Sequence, residues 1–213
     1  MPRQQGRIRV YGQGSVEVEF VSAYLIDLKH AYDSILVFES VIDGLKRASR
    51  EFPFPWHPLY TYYGWPLGPR RAVHHVRDWP PTAEEISSLV PHSEQIILSA
   101  VQLQSPGHWE FLGTLNPLEV IRKYLNDRHE RKKDREYRNA AEKRRLMLEN
   151  LVLENEIISS RVKIAKELGA TDRDIAPLLN ELVYKPLTAL GRHQDKGIIE
   201  HAEISGNQEK RDH

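Results

Sequence analysis

The feature that most constrains the fold is an interval without glycine or proline that runs from Leu118 to Leu168. Most of its residues are strong helix formers. Directly before it, Asn116 and Pro117 provide a favoured helix cap and first helical residue, and Glu119 can reach back to the cap. A single helix over 116–168 would be about 80 Å long at 1.5 Å per residue. We therefore expect a long helix that projects from a smaller body.

The second half of this interval has the apolar spacing of a coiled coil. With Leu148 at heptad position a, a single Asn lies among apolar a and d residues, which fixes register and favours two parallel strands. A second apolar stripe widens the face, so a trimer or tetramer also stays open. The segment 146–168 therefore predicts a homo-oligomer, with contacts from Leu148, Leu151, Asn155, Ile158 and Val162.

The chain before this helix predicts an α+β body. Alternating residues around turn signals predict a β-hairpin over 7–20 and a second one over 95–112, and apolar residues at helical spacing predict a helix over 25–44. The two hairpins are alike enough to suggest a ββα duplication. The predicted fold is a small antiparallel sheet made from both hairpins, with the helix packed on one face.

A Pro-rich and aromatic loop separates the two hairpins. Residues 51–81 contain seven of the 13 prolines and eight of the 18 aromatic residues. Proline at this density disfavours helix and central strand, and so many rings disfavour a disordered linker. We interpret the segment as an ordered loop that either covers the sheet or binds a partner. Trp56 and Trp65 are the predicted partner-binding residues.

One segment of the chain is strongly basic although the whole chain is neutral. Residues 122–145 contain 11 basic and 5 acidic side chains, a net charge of +6, whereas the full sequence has 30 of each. Such a segment attracts phosphates without base readout, so any nucleic-acid binding is expected to be weak and salt-dependent. The predicted phosphate contacts are Arg131, Lys132, Lys133, Arg144 and Arg145.

The chain after the long interval predicts a helical hairpin and a polar end. Gly169 marks a turn, and a capping-box pattern over 171–174, like the one over 82–85 earlier in the chain, starts a further helix. Pro186 is expected to end or kink that helix. The predicted organisation is a body over 1–115, a long helix and helical hairpin over 116–190, and a polar tail over 191–213.

Most enzyme classes lack support in this sequence. It has no cysteine, no phosphate-binding glycine loop and no HExxH metal motif. We therefore expect no catalytic residues, no metal and no cofactor, with a site among the histidines of the 51–92 region as the enzymatic alternative. No stretch predicts a signal peptide or a membrane span, and a cytoplasmic location is expected.

The function predicted from these patterns is a non-enzymatic, oligomer-forming adaptor or assembly protein. Its expected partners are further copies of itself and another protein. The alternative is a nucleic-acid-associated protein that uses the basic helix over 122–145.

Overall fold

A computed structural model describes residues 3–13, 16–51, 81–102, 104, 107–133 and 155–205. These residues form an α+β fold, which confirms the predicted class. In chain order the elements are β1 (Gln5–Gly12), α1 (Val18–Glu51), α2 (Ala83–Leu89), β2 (Ile97–Gln102), β3 (Gly107–Thr114), α3 (Leu115–Lys133), α4 (Glu156–Glu167), α5 (Asp172–Leu179), α6 (Lys185–Asp195) and β4 (Ile199–Ser205). A 3₁₀ turn, His92–Glu94, precedes β2, and a π-helical segment, Asn180–Tyr184, joins α5 to α6.

The four strands form one antiparallel sheet in the order β2-β3-β1-β4. The main elements follow one another as β-α-β-β-α-β, the order of the split βαβ arrangement, with α2 and α4–α6 added. Residues that face the helices include Ile8 and Val10 of β1 and Trp109 and Phe111 of β3, all of them buried. The opposite side of the sheet, here called the outer face, carries the alternate residues.

One of the two predicted hairpins is correct and the other is wrong. The second hairpin corresponds to β2 and β3, whose register pairs Val101 with Trp109. In the first, the expected second strand is the start of α1, where the Glu17 carbonyl accepts the N–H groups of Phe20 and Val21. The place beside β1 is taken by β4 instead, so the expected ββα duplication does not exist.

The predicted single helix over 116–168 is also wrong. Asn155 has extended backbone angles and is the N-cap of α4, and its side chain accepts the Ile157 N–H at 3.1 Å. The expected cap at the other end differs too, because α3 starts at Leu115 and the Asn116 amide donates to Glu39 of α1. Residues 134–154 lie outside the described part of the chain.

The C-terminal elements belong to the same core as the body. Buried residues of α1, such as Phe38, form one cluster with Leu118 of α3, Ile158 of α4 and Leu187 of α6. The predicted polar tail from residue 191 is therefore wrong up to Ser205, since α6 continues to Asp195 and β4 joins the sheet. The expected division at residue 115 likewise does not separate two cores.

Two local predictions near the helix ends are confirmed. Thr82 and Glu85 form the capping box of α2 in both directions, at 3.2 and 2.9 Å. At α5 the Thr171 N–H and hydroxyl both donate to Asp174, at 2.8 and 2.7 Å. Pro186 was expected to end or kink its helix, and it is the second residue of α6, which directly follows the π-helical segment. Since proline lacks an N–H and its ring collides with the carbonyl four residues earlier, a widened turn at this place is understandable.

Candidate interaction surface

The strand β2 is the exposed edge of the sheet. All six of its residues are exposed, and among the described residues no strand pairs with its far side. Its sequence contains no charged residue and no proline. Ile97, Leu98 and Val101 are 57 %, 43 % and 48 % exposed. A free, uncharged strand edge is a template for pairing with another strand.

The other edge of the sheet is closed by side chains. Asn126 of α3 binds the backbone of Ala202 in β4 from both ends of its amide: Nδ2 donates to the carbonyl and Oδ1 accepts the N–H, each at 2.9 Å. Next to it, Gln194 donates to the Glu200 carbonyl at 2.6 Å and to the Leu125 carbonyl at 2.8 Å. These amides occupy positions that a further strand would use, so the two edges differ in their capacity for pairing.

A bulge interrupts β2 at Ser99. The register with β3 shifts between Leu98 and Ala100, and the Ser99 hydroxyl donates to the Glu110 carbonyl at 3.0 Å. Bulges are common on edge strands, where they shorten the regular edge available to another chain. The regular part of β2 beyond the bulge is Ala100–Gln102.

Further exposed apolar side chains lie on the first third of α1. Val18, Phe20 and Ile26 are 81 %, 37 % and 67 % exposed. The nearby Tyr24 packs on Trp109, with ring centroids 5.3 Å apart, and Trp109 is paired with Val101. This part of α1 therefore lies over the end of the sheet to which Val101 belongs. Exposed apolar side chains of this kind are typical of protein-binding surfaces.

The outer face carries a row of rings that crosses three strands. Tyr11 of β1 stacks on His201 of β4, with centroids 4.7 Å apart and planes at 12°, and it contacts His108 of β3 at 5.8 Å. His129 of α3 extends the row, 5.6 Å from His201. All four side chains are partly exposed. We call His108, Tyr11, His201 and His129 the ring row.

Beside the ring row, two arginines share one carboxylate. Arg7 and Arg9 contact the two oxygens of Glu110 at 3.1 and 2.9 Å. Burial raises the pKa of Glu110, but the hydrogen bond from Arg9 and the charges of both arginines outweigh this, so the pKa lies below its ordinary value. Glu203 of β4 accepts the Tyr11 hydroxyl at 3.0 Å. Glu110 lies between the buried residues Trp109 and Phe111 and faces the opposite side of the sheet, yet its side chain is only 8 % exposed.

A polar network on the helix side of the sheet joins five parts of the chain. Glu39 is fully buried, and its Oε1 accepts from Asn116 at 3.0 Å and from Arg161 at 3.4 Å. Arg161 also binds Asp43 at 2.6 Å, and Arg3 binds Glu94 at 2.7 Å. Burial raises the pKa of Glu39, and Arg161 and Asn116 lower it in part. This network fixes α4 and the N-terminal residues to α1.

A second buried pair holds α6 against α1. His193 Nε2 lies 2.7 Å from Asp27 Oδ2, and the edge of Tyr24 contacts the His193 ring at 5.8 Å. Burial lowers the pKa of His30, while Asp27 opposes this shift. With the His193 side chain only 5 % exposed, this pair is a packing contact between helices rather than an open site.

The predicted oligomerisation residues do not form an exposed stripe. Ile158 is fully buried in the core of its own chain, Asn155 is a buried N-cap, and Val162 packs partly against the core. These residues are therefore not available as the heptad positions of an intermolecular coiled coil, and this part of the prediction is wrong. Leu148 and Leu151 lie outside the described residues.

The other predicted contact residues are placed only in part. Arg131, Lys132 and Lys133 lie in the last turn of α3. Arg144, Arg145, Trp56 and Trp65 lie outside the described residues, so their predicted roles stay predictions. Trp109 of β3, in contrast, lies in the core and is 3 % exposed.

Comparisons with known proteins identify no relative of this chain. No family model, no curated protein and no solved structure matches it. Within the described ranges, no group of three or more His, Cys, Asp or Glu side chains could hold a metal ion. No described helix has both the length and the apolarity needed to cross a membrane.

Proposed function

We propose that the protein is a non-enzymatic interaction protein that associates with a second copy of itself through the edge of β2. The observation that carries this proposal is the difference between the two sheet edges. Asn126 and Gln194 close β4, whereas β2 is free, uncharged and exposed among the described residues. An exposed edge strand without charge or proline is a template for pairing with another strand, and the bulge at Ser99 leaves Ala100–Gln102 as the regular part of this edge.

A second copy fits this edge for reasons of symmetry and charge. Two β2 strands that meet across a two-fold axis run antiparallel, as do all neighbours in the sheet, and give one continuous sheet with four strands from each chain. Because β2 carries no charge, no like charges meet when the strand pairs with its own copy.

The exposed side chains of β2 would be buried in the same contact. Leu98 and Val101 pair with Phe111 and Trp109, so they point to the helix side of the sheet. In a pair of copies they would meet their counterparts across the two-fold axis. Burial of apolar surface contributes about 25 cal/mol per Å² and would add to the backbone hydrogen bonds.

Introducing positive charge on the helix side of β2 tests this proposal. We expect the wild-type chain to sediment as a dimer at micromolar concentration. Leu98→Lys combined with Val101→Lys should give a monomer, because four ammonium groups would then meet across the two-fold axis. Ala176→Lys, on the exposed side of α5, is the matched control and should stay dimeric.

Circular dichroism and thermal melting would show that the charged variant is still folded. Both substituted side chains are about half exposed, so the folded monomer should tolerate them. A wild-type chain that sediments as a monomer, or a charged variant that remains dimeric, would refute the proposed use of β2.

A further inference from the structure

The bulge at Ser99 decides which side chains share a face of β2. The register places Leu98 opposite Phe111, and it places Val101 opposite Trp109. Phe111 and Trp109 are two residues apart on β3, and both are buried on the helix side of the sheet. Leu98 and Val101 are three residues apart, and in a regular strand such residues point to opposite faces. The one extra residue in the bulge therefore brings both apolar side chains onto the same face.

Contacts around Glu110 hold this bulge in place. The Ser99 hydroxyl donates to the Glu110 carbonyl at 3.0 Å and lies 3.4 Å from Oε1 of the same residue. Arg7 and Arg9 bind the two carboxylate oxygens at 3.1 and 2.9 Å. Glu110 also lies between Arg9 on one side and Ala100 on the other in the strand register. The position of the extra residue is thus fixed by β3 and β1 as well as by its own hydroxyl group.

The bulge divides the free edge of β2 into two unequal parts. Ile97 and Leu98 lie before it, and the three residues Ala100–Gln102 lie after it in unbroken register with β3. A bulge leaves its extra residue unpaired and bends the strand, so a further strand cannot pair regularly across Ser99. The part after the bulge is the longer one and offers more backbone groups for hydrogen bonds.

Two-fold symmetry then selects one register for two copies of this edge. In an isologous contact, residue i meets residue j and residue j meets residue i, so the residue on the axis lies opposite its own copy. When three residues pair, the middle one is on the axis. Val101 would therefore lie opposite Val101 of the second copy, and Ala100 would lie opposite Gln102. The Val101 side chain is 48 % exposed in the single chain and would be covered by its counterpart.

From this geometry we propose that the bulge at Ser99 fixes the register of the dimer, with the two-fold axis at Val101. This inference rests on the proposed association through β2 and adds the residue that determines how the copies pair. Charged residues, which can select a register through cross-strand ion pairs, are absent from β2. The length of the regular edge on each side of the bulge takes over that role.

Cysteine cross-linking tests the register directly, because the chain contains no cysteine. Opposite residues of antiparallel strands have Cα atoms about 4.5–5.5 Å apart, which is within the range of a disulfide. Oxidation of Val101→Cys with diamide should therefore give a covalent dimer on a non-reducing gel. Ala100→Cys and Gln102→Cys should each fail to cross-link alone, since two copies of either residue would be about 8 Å apart. An equimolar mixture of these two variants should cross-link.

Deletion of Ser99 tests the role of the bulge. Ile97, Leu98 and Ala100 already lie opposite three consecutive residues of β3, so the shortened strand can keep these pairs. Its regular edge would then have five residues with Ala100 in the middle. The site of cross-linking should accordingly move from Val101→Cys to Ala100→Cys. Ser99→Ala keeps the number of residues and is the matched control, in which cross-linking should stay at Val101.

The outcomes separate this inference from the dimer itself. A wild-type chain that sediments as a monomer would refute the dimer and the register together. A dimer in which Val101→Cys does not cross-link, or in which cross-linking stays at Val101 after the deletion, would refute the role of Ser99 alone. If circular dichroism shows that the shortened chain is unfolded, the cysteine variants of the full-length chain decide. Cross-linking of Ala100→Cys or Gln102→Cys by itself would then overturn the proposed register.

Discussion

The hydroxyl group of Tyr32 lies directly against the position that a side chain on Gly113 would occupy. An ideal Cβ on Gly113 would be 2.9 Å from this oxygen and 3.0 Å from the Tyr32 ring. The hydroxyl accepts the Thr114 N–H at 2.7 Å and donates to the Glu94 carbonyl at 2.8 Å. Helix α1 thus approaches the end of β3 closely and is hydrogen-bonded there to two other segments.

Replacing Gly113 should therefore destabilise the fold. Gly113→Ala forces a methyl group against a buried ring held by two hydrogen bonds, and overpacking of this kind costs about 1–3 kcal/mol. Urea denaturation gives the free energy of unfolding. In a double-mutant cycle with Tyr32→Phe, the loss of unfolding free energy in the double mutant should be smaller than the sum of the two single losses, because both substitutions act on the same contact. Full additivity would contradict the contact.

The amide of Asn126 should contribute measurably to stability through the edge of β4. Asn126→Ala leaves the Ala202 N–H and carbonyl without their partner, at a cost of about 1–3 kcal/mol in the unfolding free energy. Asn180→Ala, which removes an exposed hydrogen bond to Glu181, is the matched control and should change stability by less than about 0.5 kcal/mol. Equal effects of the two substitutions would show that the edge contact is not specific.

The buried carboxyl of Glu39 should make stability depend on pH in a defined direction. Its raised pKa means that the folded chain holds this proton more tightly than the unfolded chain does. The ionised form therefore destabilises the fold, and this loss develops as the pH rises from the ordinary value of 4.5 through the folded pKa. The unfolding free energy of Glu39→Gln relative to wild type should accordingly increase over that range.

Urea denaturation at several pH values from about 4 to about 8 measures this difference. Glu167→Gln removes a carboxylate that is 63 % exposed and serves as the matched control. A difference between Glu39→Gln and wild type that is constant, or that shrinks as the pH rises, would contradict the expected effect of burial.

Ile158 should act on folding rather than on association. Ile158→Asp places a charge in the core, so we expect a loss of about 3 kcal/mol or more in unfolding free energy. Ser160→Asp, on the exposed side of α4, should change stability little. A folded, monomeric Ile158→Asp chain with an unchanged melting temperature would contradict this expectation and would support the predicted coiled coil over 146–168.

The parts of the fold that were predicted correctly depend on local signals. The capping boxes at Thr82 and Thr171 involve residues three positions apart, and the hairpin of β2 and β3 joins neighbouring segments. The start of α1 was missed because Val16–Phe20 alternates like a strand. In the structure the alternate residue Val18 is exposed on the first turn of the helix, so packing elsewhere along α1 decides its conformation.

The missed strand β4 has only a weak sequence signal. Its buried residues are Ile199 and Ala202, and the polar residues Glu200 and His201 separate them. The alternation of Ala202 and Ile204 with polar neighbours was the one available hint. Its partner β1 lies at the opposite end of the chain, and no local pattern contains that pairing. The helix break at Asn155 was missed for a similar reason, since Asn fits both a cap and a heptad position.

The candidate surfaces could not be read from the sequence for the same physical reason. That β2 is an edge, and that Tyr11 lies between His108 and His201, follow from strand order. Strand order is set by contacts between distant segments. The sequence did indicate the basic block and the apolar character of β2, but not what lies beside them.

The position of β1 in the sheet has a consequence for synthesis of the chain. Its two neighbours come much later: Arg9 pairs with Glu110, 101 residues on, and Tyr11 binds Glu203, 192 residues on. At usual translation rates of about 5–20 residues per second, β1 leaves the ribosome about 10–40 s before β4 does. For about the first half of that time β1 has neither neighbouring strand, and for the second half it lacks β4. The nascent chain is therefore expected to need a holding chaperone until the last strand is made.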